Sequence, residues 1–336
     1  MTEIDYSSPG QRNIFQQIFL SPDGRLRSGW RLLLHWVLVL LLTGVFTVVG
    51  FTLVVLLVGE SSASTPISQM GISVATALPA ITLATWIARR YLDRRSFLSL
   101  GLDFDRRARS QLILGILIPL PLFGLIYLVE WAAGWLRFDA FSWQTLGWGG
   151  TLLGLSFGVM VFLAVGFYEE LLSRGYQLQN LAESIGAGWA IALTSLIFAV
   201  LHAANPGAGW QSTVGIFLAG LFLAYAWLRT KRLWLPIGLH IGWNFFQGTI
   251  FGFPVSGTGG FHLVGQSVDG PALITGGAFG PEAGLTGFLA MGLGALLVWY
   301  VTGGHQPAAM GEPPIPHKAA DVLLAPRPSS QAAGED

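Results

Sequence analysis

The sequence predicts an all-α polytopic membrane bundle of about eight transmembrane helices, and three observations carry that reading. Charge is scarce: of 336 residues, 52% are hydrophobic and 11% charged, with a mean hydropathy of +0.59, whereas soluble domains carry roughly 25% charged residues. The apolar residues fall in runs near the roughly 20 residues that cross about 30 Å of hydrocarbon. These runs lie near 30–58, 70–88, 111–129, 148–168, 186–204, 211–228, 233–252 and 284–302. Trp (13) and Gly (44) are abundant, as is common in membrane helices and at their interfaces. A formal net charge of +0 and the absence of Cys exclude a nucleic-acid binder resting on net basic charge, disulfides, thiolate metal sites and a Cys nucleophile.

Taken in order, residues 1–29 form a polar, poorly ordered N-terminal segment. The first apolar run is too long for a signal-peptide core of about 7–15 residues and reads as a retained anchor. The basic residues then orient the bundle. Arg12, Arg25, Arg27 and Arg31 precede the first span, and Arg89, Arg90, Arg94, Arg95, Arg106, Arg107 and Arg109 fill the second loop. Arg174, Arg229, Lys231, Arg232, Lys318 and Arg327 fall on the same side, and Arg137 stands alone on the other. That bias places both termini in the cytoplasm and makes 30–302 the transmembrane bundle of a multi-pass cell-membrane protein. The seven Arg of the second loop read as topology signals, available to anionic head groups. His35 beside Trp36 reads as an interface anchor. The Gly-rich stretch 253–283 reads as a flexible outer loop, and 303–336 as a disordered cytoplasmic tail.

Ionisable side chains in apolar helices are costly and usually face a bundle interior or a wet cavity. Three such places occur: Glu169-Glu170 with Arg174, Phe198 with His202, and His240 with Asn244. Glu170 and Arg174 are four apart and share a helix face, while Glu169 points about 100° away. One carboxylate is thus neutralised by Arg174, and the other is left to face a cavity as a general base. The bland reading of this motif is a surface ion pair at a helix end. Spacing argues against it. If the fourth span continues as a helix past Arg174, the turn at Ile185–Gly188 falls midway between Glu169 and His202. In an antiparallel hairpin both then lie about 24 Å from the apex, at one height. His240 and Asn244 are four apart and project into one cavity. A carboxylate, two His and an Asn on several helices can therefore converge on a site.

In these residues the sequence resembles the CAAX-processing and bacteriocin-immunity (CPBP, Abi) family of intramembrane proteases. That family carries Glu-Glu-x-x-x-Arg, Phe-x-x-x-His and His-x-x-x-Asn/Asp in this order on membrane helices. The resemblance covers a core of about 150–252 and implies a fold similar to type II CAAX prenyl endopeptidases. It implies that Glu169 and His202 activate a water for peptide hydrolysis and that His240 and Asn244 stabilise the oxyanion. Glu170, Arg174 and Phe198 take supporting roles. No cofactor is favoured, because there is no His-Glu-x-x-His helix and Asn is a poor zinc ligand; if zinc is used, its set is Glu169, His202 and His240. The expected partners are a membrane-anchored protein or peptide substrate and the lipid bilayer, with no nucleic acid. A non-catalytic immunity or scaffold protein of the same fold is the alternative, and a proton-coupled transporter a third reading.

Overall fold

Backbone groups in hydrocarbon must be satisfied within the chain, and each of the eight apolar runs is helical in the computed structural model, which describes residues 13–303. The expected terminal segments therefore lie partly outside the described residues, at 1–12 and 304–336. The helices are α1 (Ser28–Val58), α2 (Pro66–Leu92), α3 (Arg106–Ala132), α4 (Gly147–Ile185), α5 (Ala187–Leu201), α6 (Trp210–Thr230), α7 (Trp234–Asn244) and α8 (Leu285–Val301). Among the described residues, five (α1, α2, α3, α4 and α6) are long and apolar enough to cross a membrane, while α5 and α8 are shorter. The expected count of eight crossings is therefore not reached by length and composition alone. α7 is short because its ladder widens into a π-helical turn, Phe245–Ile250.

The all-α expectation also lacks one detail. Strands β1 (Leu136–Phe141) and β2 (Val264–Val268) pair antiparallel, with a register shift between Phe138 and Ala140. β2 belongs to the stretch 253–283, which is packed against the bundle and not the flexible loop its glycines suggest. Residues 13–27, expected without order, carry a short helix, Ile14–Phe19, capped by Asn13.

α7 sits at the centre, buried from Leu235 through Asn244 and packed against α3, α4 and α6. Small residues let the backbones approach, as in membrane helix contacts generally. A Cβ on Gly115 of α3 would stand 2.6 Å from the Leu235 carbonyl oxygen, and one on Gly166 of α4 would stand 2.6 Å from Ile241 Cγ1. α4 runs on past Arg174 as expected, ends at Ile185 and turns through Gly186 at φ +75° into α5.

One end of the bundle gathers the basic loops. Arg31 and Arg89 each reach Asp93 at 2.9 Å, and Arg95 reaches Glu183 at 2.7 Å. Two expectations change here. Arg89 is buried, so it is an internal counter-ion and not a lipid contact. His35 is also fully buried, with Nε2 3.1 Å from Thr85 Oγ1 and its ring 4.0 Å from that of Tyr176; it is a core group and not an interface anchor.

Candidate active site

Three helices bring the expected residues into one cluster beside a cavity. Glu169 and Glu170 close the α-helical part of α4, just before a π-helical turn, Leu171–Gln177. Such turns displace side chains from the regular ladder and recur at functional sites. The divergence of adjacent helical residues separates the two carboxylates. Glu170 turns into the protein, where its Oε1 accepts from Arg174 Nη1 at 2.8 Å and from His240 Nδ1 at 2.9 Å. The Glu170 and Arg174 side chains are 0% and 1% exposed, so this is a buried pair and not the bland surface pair. Glu169 faces the cavity instead.

Hydrogen-bond chemistry sets the imidazoles. His202 lies one position beyond the end of α5, with Nδ1 2.8 Å from the Phe198 carbonyl oxygen. A carbonyl only accepts, so Nδ1 carries the proton and the Nε2 of the neutral ring is an acceptor. That Nε2 lies 3.9 Å from Glu169 Oε2, and His240 Nε2 lies 3.7 Å from the same oxygen. Glu169 Oε2 is buried and accepts no hydrogen bond among the described residues. A carboxylate oxygen and an imidazole lone pair thus face each other at a separation that a bridging donor spans.

Phe198 joins the two halves of the cluster. Its ring lies 4.7 Å below the Arg174 guanidinium carbon, 4.6 Å from the His202 ring and 6.0 Å, edge to face, from His240. Arg174 is held a second time by Nη2 donating to the Gly220 carbonyl at 2.9 Å. Asn244, one helical turn after His240, lines the same cavity of about 320 Å³, whose walls include Val161, Val165 and Ile216. A second cavity of about 370 Å³, between α1, α2, α4 and α5, also reaches Glu169 and His202. Five of the seven expected residues, Glu169, Phe198, His202, His240 and Asn244, therefore line one space, and Glu170 and Arg174 back it from within the protein. The set considered for zinc, Glu169, His202 and His240, shares this space, but no group of three or more His, Asp or Glu among the described residues is arranged to hold a metal ion.

Sequence reasoning missed the opposite wall. Glu282 and Ser256, from the stretch 253–283, line the cavity together with Asn205, and Glu282 is 3% exposed. The available signal was a lone acid abutting the last apolar run, masked by the glycines around it.

Residues 150–246 match the family described as Type II CAAX prenyl endopeptidase Rce1-like. No curated protein and no solved structure matches the chain.

Proposed function

We propose that this multi-pass membrane chain, whose residues 150–246 match the Rce1-like family model, is an intramembrane endopeptidase of the glutamate type, acting on membrane-anchored proteins or peptides. The observation that carries the mechanism is the facing pair Glu169 Oε2 and His202 Nε2, 3.9 Å apart. Both are acceptors, so one water can donate one O–H to each. Glu169 takes a proton as the water oxygen attacks the scissile carbonyl. Asn244, with His240 in its protonated form, donates to the tetrahedral oxyanion. Glu169 then returns the proton to the leaving amine as the C–N bond breaks, giving a carboxyl on one product and an amine on the other.

In this proposal Glu170 and Arg174 hold His240 in place, and Phe198 packs the cluster dry. The apolar walls suit a substrate that arrives within the bilayer, and the basic face is the cytoplasmic one, in the cell membrane. No zinc step is included. Elemental analysis of active protein tests that choice, since near-stoichiometric zinc that tracks activity would replace the glutamate mechanism. The principal test compares wild type with Glu169→Ala in liposomes holding a peptide library. Cleavage by wild type alone is expected, and equal cleavage by both would sink the proposal.

A further inference from the structure

Glu282 sits in the short turn Pro281–Ala283, immediately before α8, and lines the same cavity as Glu169. Its carboxylate takes three hydrogen bonds, all from neutral donors. Oε1 accepts from Trp243 Nε1 at 3.1 Å, and Oε2 accepts from the Ser256 backbone N–H at 2.8 Å and from Ser256 Oγ at 2.9 Å. Each partner leads to an element of the candidate active site. Trp243 precedes Asn244 on α7, one helical turn from His240. On the other side, the Ser256 carbonyl accepts from Asn205 Nδ2 at 3.0 Å, and the Asn205 N–H donates to the His202 carbonyl at 3.1 Å.

Ser256 is held in an unusual place for the purpose. Val255 and Thr258 exchange backbone hydrogen bonds at 2.9 and 2.8 Å, with Ser256 at φ +47° and Gly257 at φ +79°. Positive φ at both central residues is the mark of a tight I′ turn, favourable with Gly at the second position. The Gly257 N–H is tied to the Phe279 carbonyl at 2.8 Å. The turn therefore has no freedom to leave Glu282 without losing its own bonds.

We propose that Glu282 is a positioning residue for the water-activating pair, tying the His202 turn to the helix that bears His240 and Asn244; this rests on the endopeptidase reading. His202 is the cap residue of α5, tied to the helix end by a 3.2 Å bond from its N–H to the Ala199 carbonyl and by Nδ1 to the Phe198 carbonyl; the Glu282 network adds a link from the turn that follows it to α7. The His202 Nε2 must keep its separation from Glu169 Oε2 for one water to bridge them. A buried carboxylate with two oxygens and three donors is a clamp that a neutral side chain of the same shape cannot replace. Glu282→Gln offers one acceptor oxygen and points an NH₂ at Trp243 or Ser256, donor against donor.

The test uses the full chain in liposomes. Glu282→Gln is expected to lower kcat about tenfold or more with KM within about twofold, since it disturbs an arrangement needed in the transition state and not substrate binding. Ser256→Ala, which keeps the backbone donor, is expected to lower kcat by no more than about threefold. A purely packing role predicts a lower unfolding temperature with unchanged kcat per folded molecule, and that result overturns the proposal. If Glu282→Gln does not fold, Trp243→Phe removes a single donor: reduced kcat at constant KM supports the tie, and unchanged kcat overturns it.

A measurement independent of catalysis accompanies these. The chain has no Cys, so spin labels at Ala204→Cys and Gly259→Cys report the distance across the Asn205–Ser256 link without background. Ala204 is exposed, and a Cβ at Gly259 meets nothing within 4 Å. Glu282→Gln is expected to broaden that distance distribution, and an unchanged narrow distribution overturns the tie. Should wild type itself fail to cleave, the endopeptidase reading falls, and the distances alone decide whether Glu282 holds the two elements.

Discussion

Two carboxylates inside the bundle, the buried Asp93 and the partly buried Glu169, are treated in opposite ways. Each oxygen of Asp93 has two donors. Oδ1 accepts from Arg31 Nη1 at 2.9 Å and Tyr176 Oη at 3.2 Å, and Oδ2 from Arg89 Nη1 at 2.9 Å and Asn180 Nδ2 at 3.3 Å. Its side chain is 0% exposed. Glu169 has a side chain 20% exposed, borders two cavities, and leaves Oε2 without a donor among the described residues. Saturation pins three helices together; an unsatisfied oxygen beside an imidazole lone pair is suited to moving a proton. Tyr176 lies in the π-helical turn Leu171–Gln177 that directly follows Glu169 and Glu170, so one helix carries a lock at Tyr176 and the cavity-facing carboxylate at Glu169.

The comparison predicts a clean separation of activity from stability. Glu169→Gln is expected to cut kcat by about 10²–10⁴-fold, the usual contribution of a general base, while the unfolding midpoint in detergent stays near wild type, because no hydrogen bond to Oε2 is lost. A large fall in the midpoint instead would make Glu169 another lock. Asn244→Ala follows, with kcat expected about 10²–10³-fold lower if its amide meets the oxyanion; single-turnover kinetics separate this from a binding defect. Asp93→Asn reverses the pattern. Removing one partner of a buried pair typically costs about 3–5 kcal/mol, here by leaving Arg31 and Arg89 without their counter-charge. Chemical unfolding should show that loss, with kcat per folded molecule little changed.

Much of this contrast is legible in the residues themselves, and what is not has a physical reason. Glu169, His202 and His240 can be found because charge inside apolar runs is rare and helical spacing is rigid, so a hairpin with its apex at Gly186 puts the first two at one height. Asp93 cannot be found this way. It lies in a loop dense with Arg, where its ordinary place is at the surface, and only tertiary packing brings Arg31 and Tyr176 over it. Glu282 escapes for a different reason. Its stretch is irregular, so no periodicity says which way a side chain points, and the I′ turn at Ser256 that gives it meaning is a backbone property. The same limit explains His35, whose neighbour Trp36 suggests an interface while Thr85 and Tyr176, both distant in sequence, enclose it.

The smallest expected effect comes from a third carboxylate, on the same end as Asp93 but outside the helices. Asp105 is half exposed and forms a two-pronged pair with Arg232 at 2.6 and 3.0 Å, while its Oδ1 also caps α3 by accepting from the Ala108 N–H at 2.8 Å. The hydrogen bond from Arg232, aided by that cap, holds its carboxyl below the ordinary carboxylate range. A depressed folded-state value stabilises the chain above the ordinary Asp range near pH 4 and loses that contribution as pH falls further. Between pH 5 and 8 the pair should therefore give no pH dependence of the unfolding midpoint. Exposed pairs contribute little, so Asp105→Asn, which keeps an oxygen for the cap, is expected to leave the midpoint within about a degree at neutral pH. Asp105→Ala loses the cap as well and should unfold earlier. Equal losses in the two variants, abolished by high salt, would show instead that the charge pair outweighs the cap, and that exposure alone does not separate weak carboxylates in this bundle from strong ones.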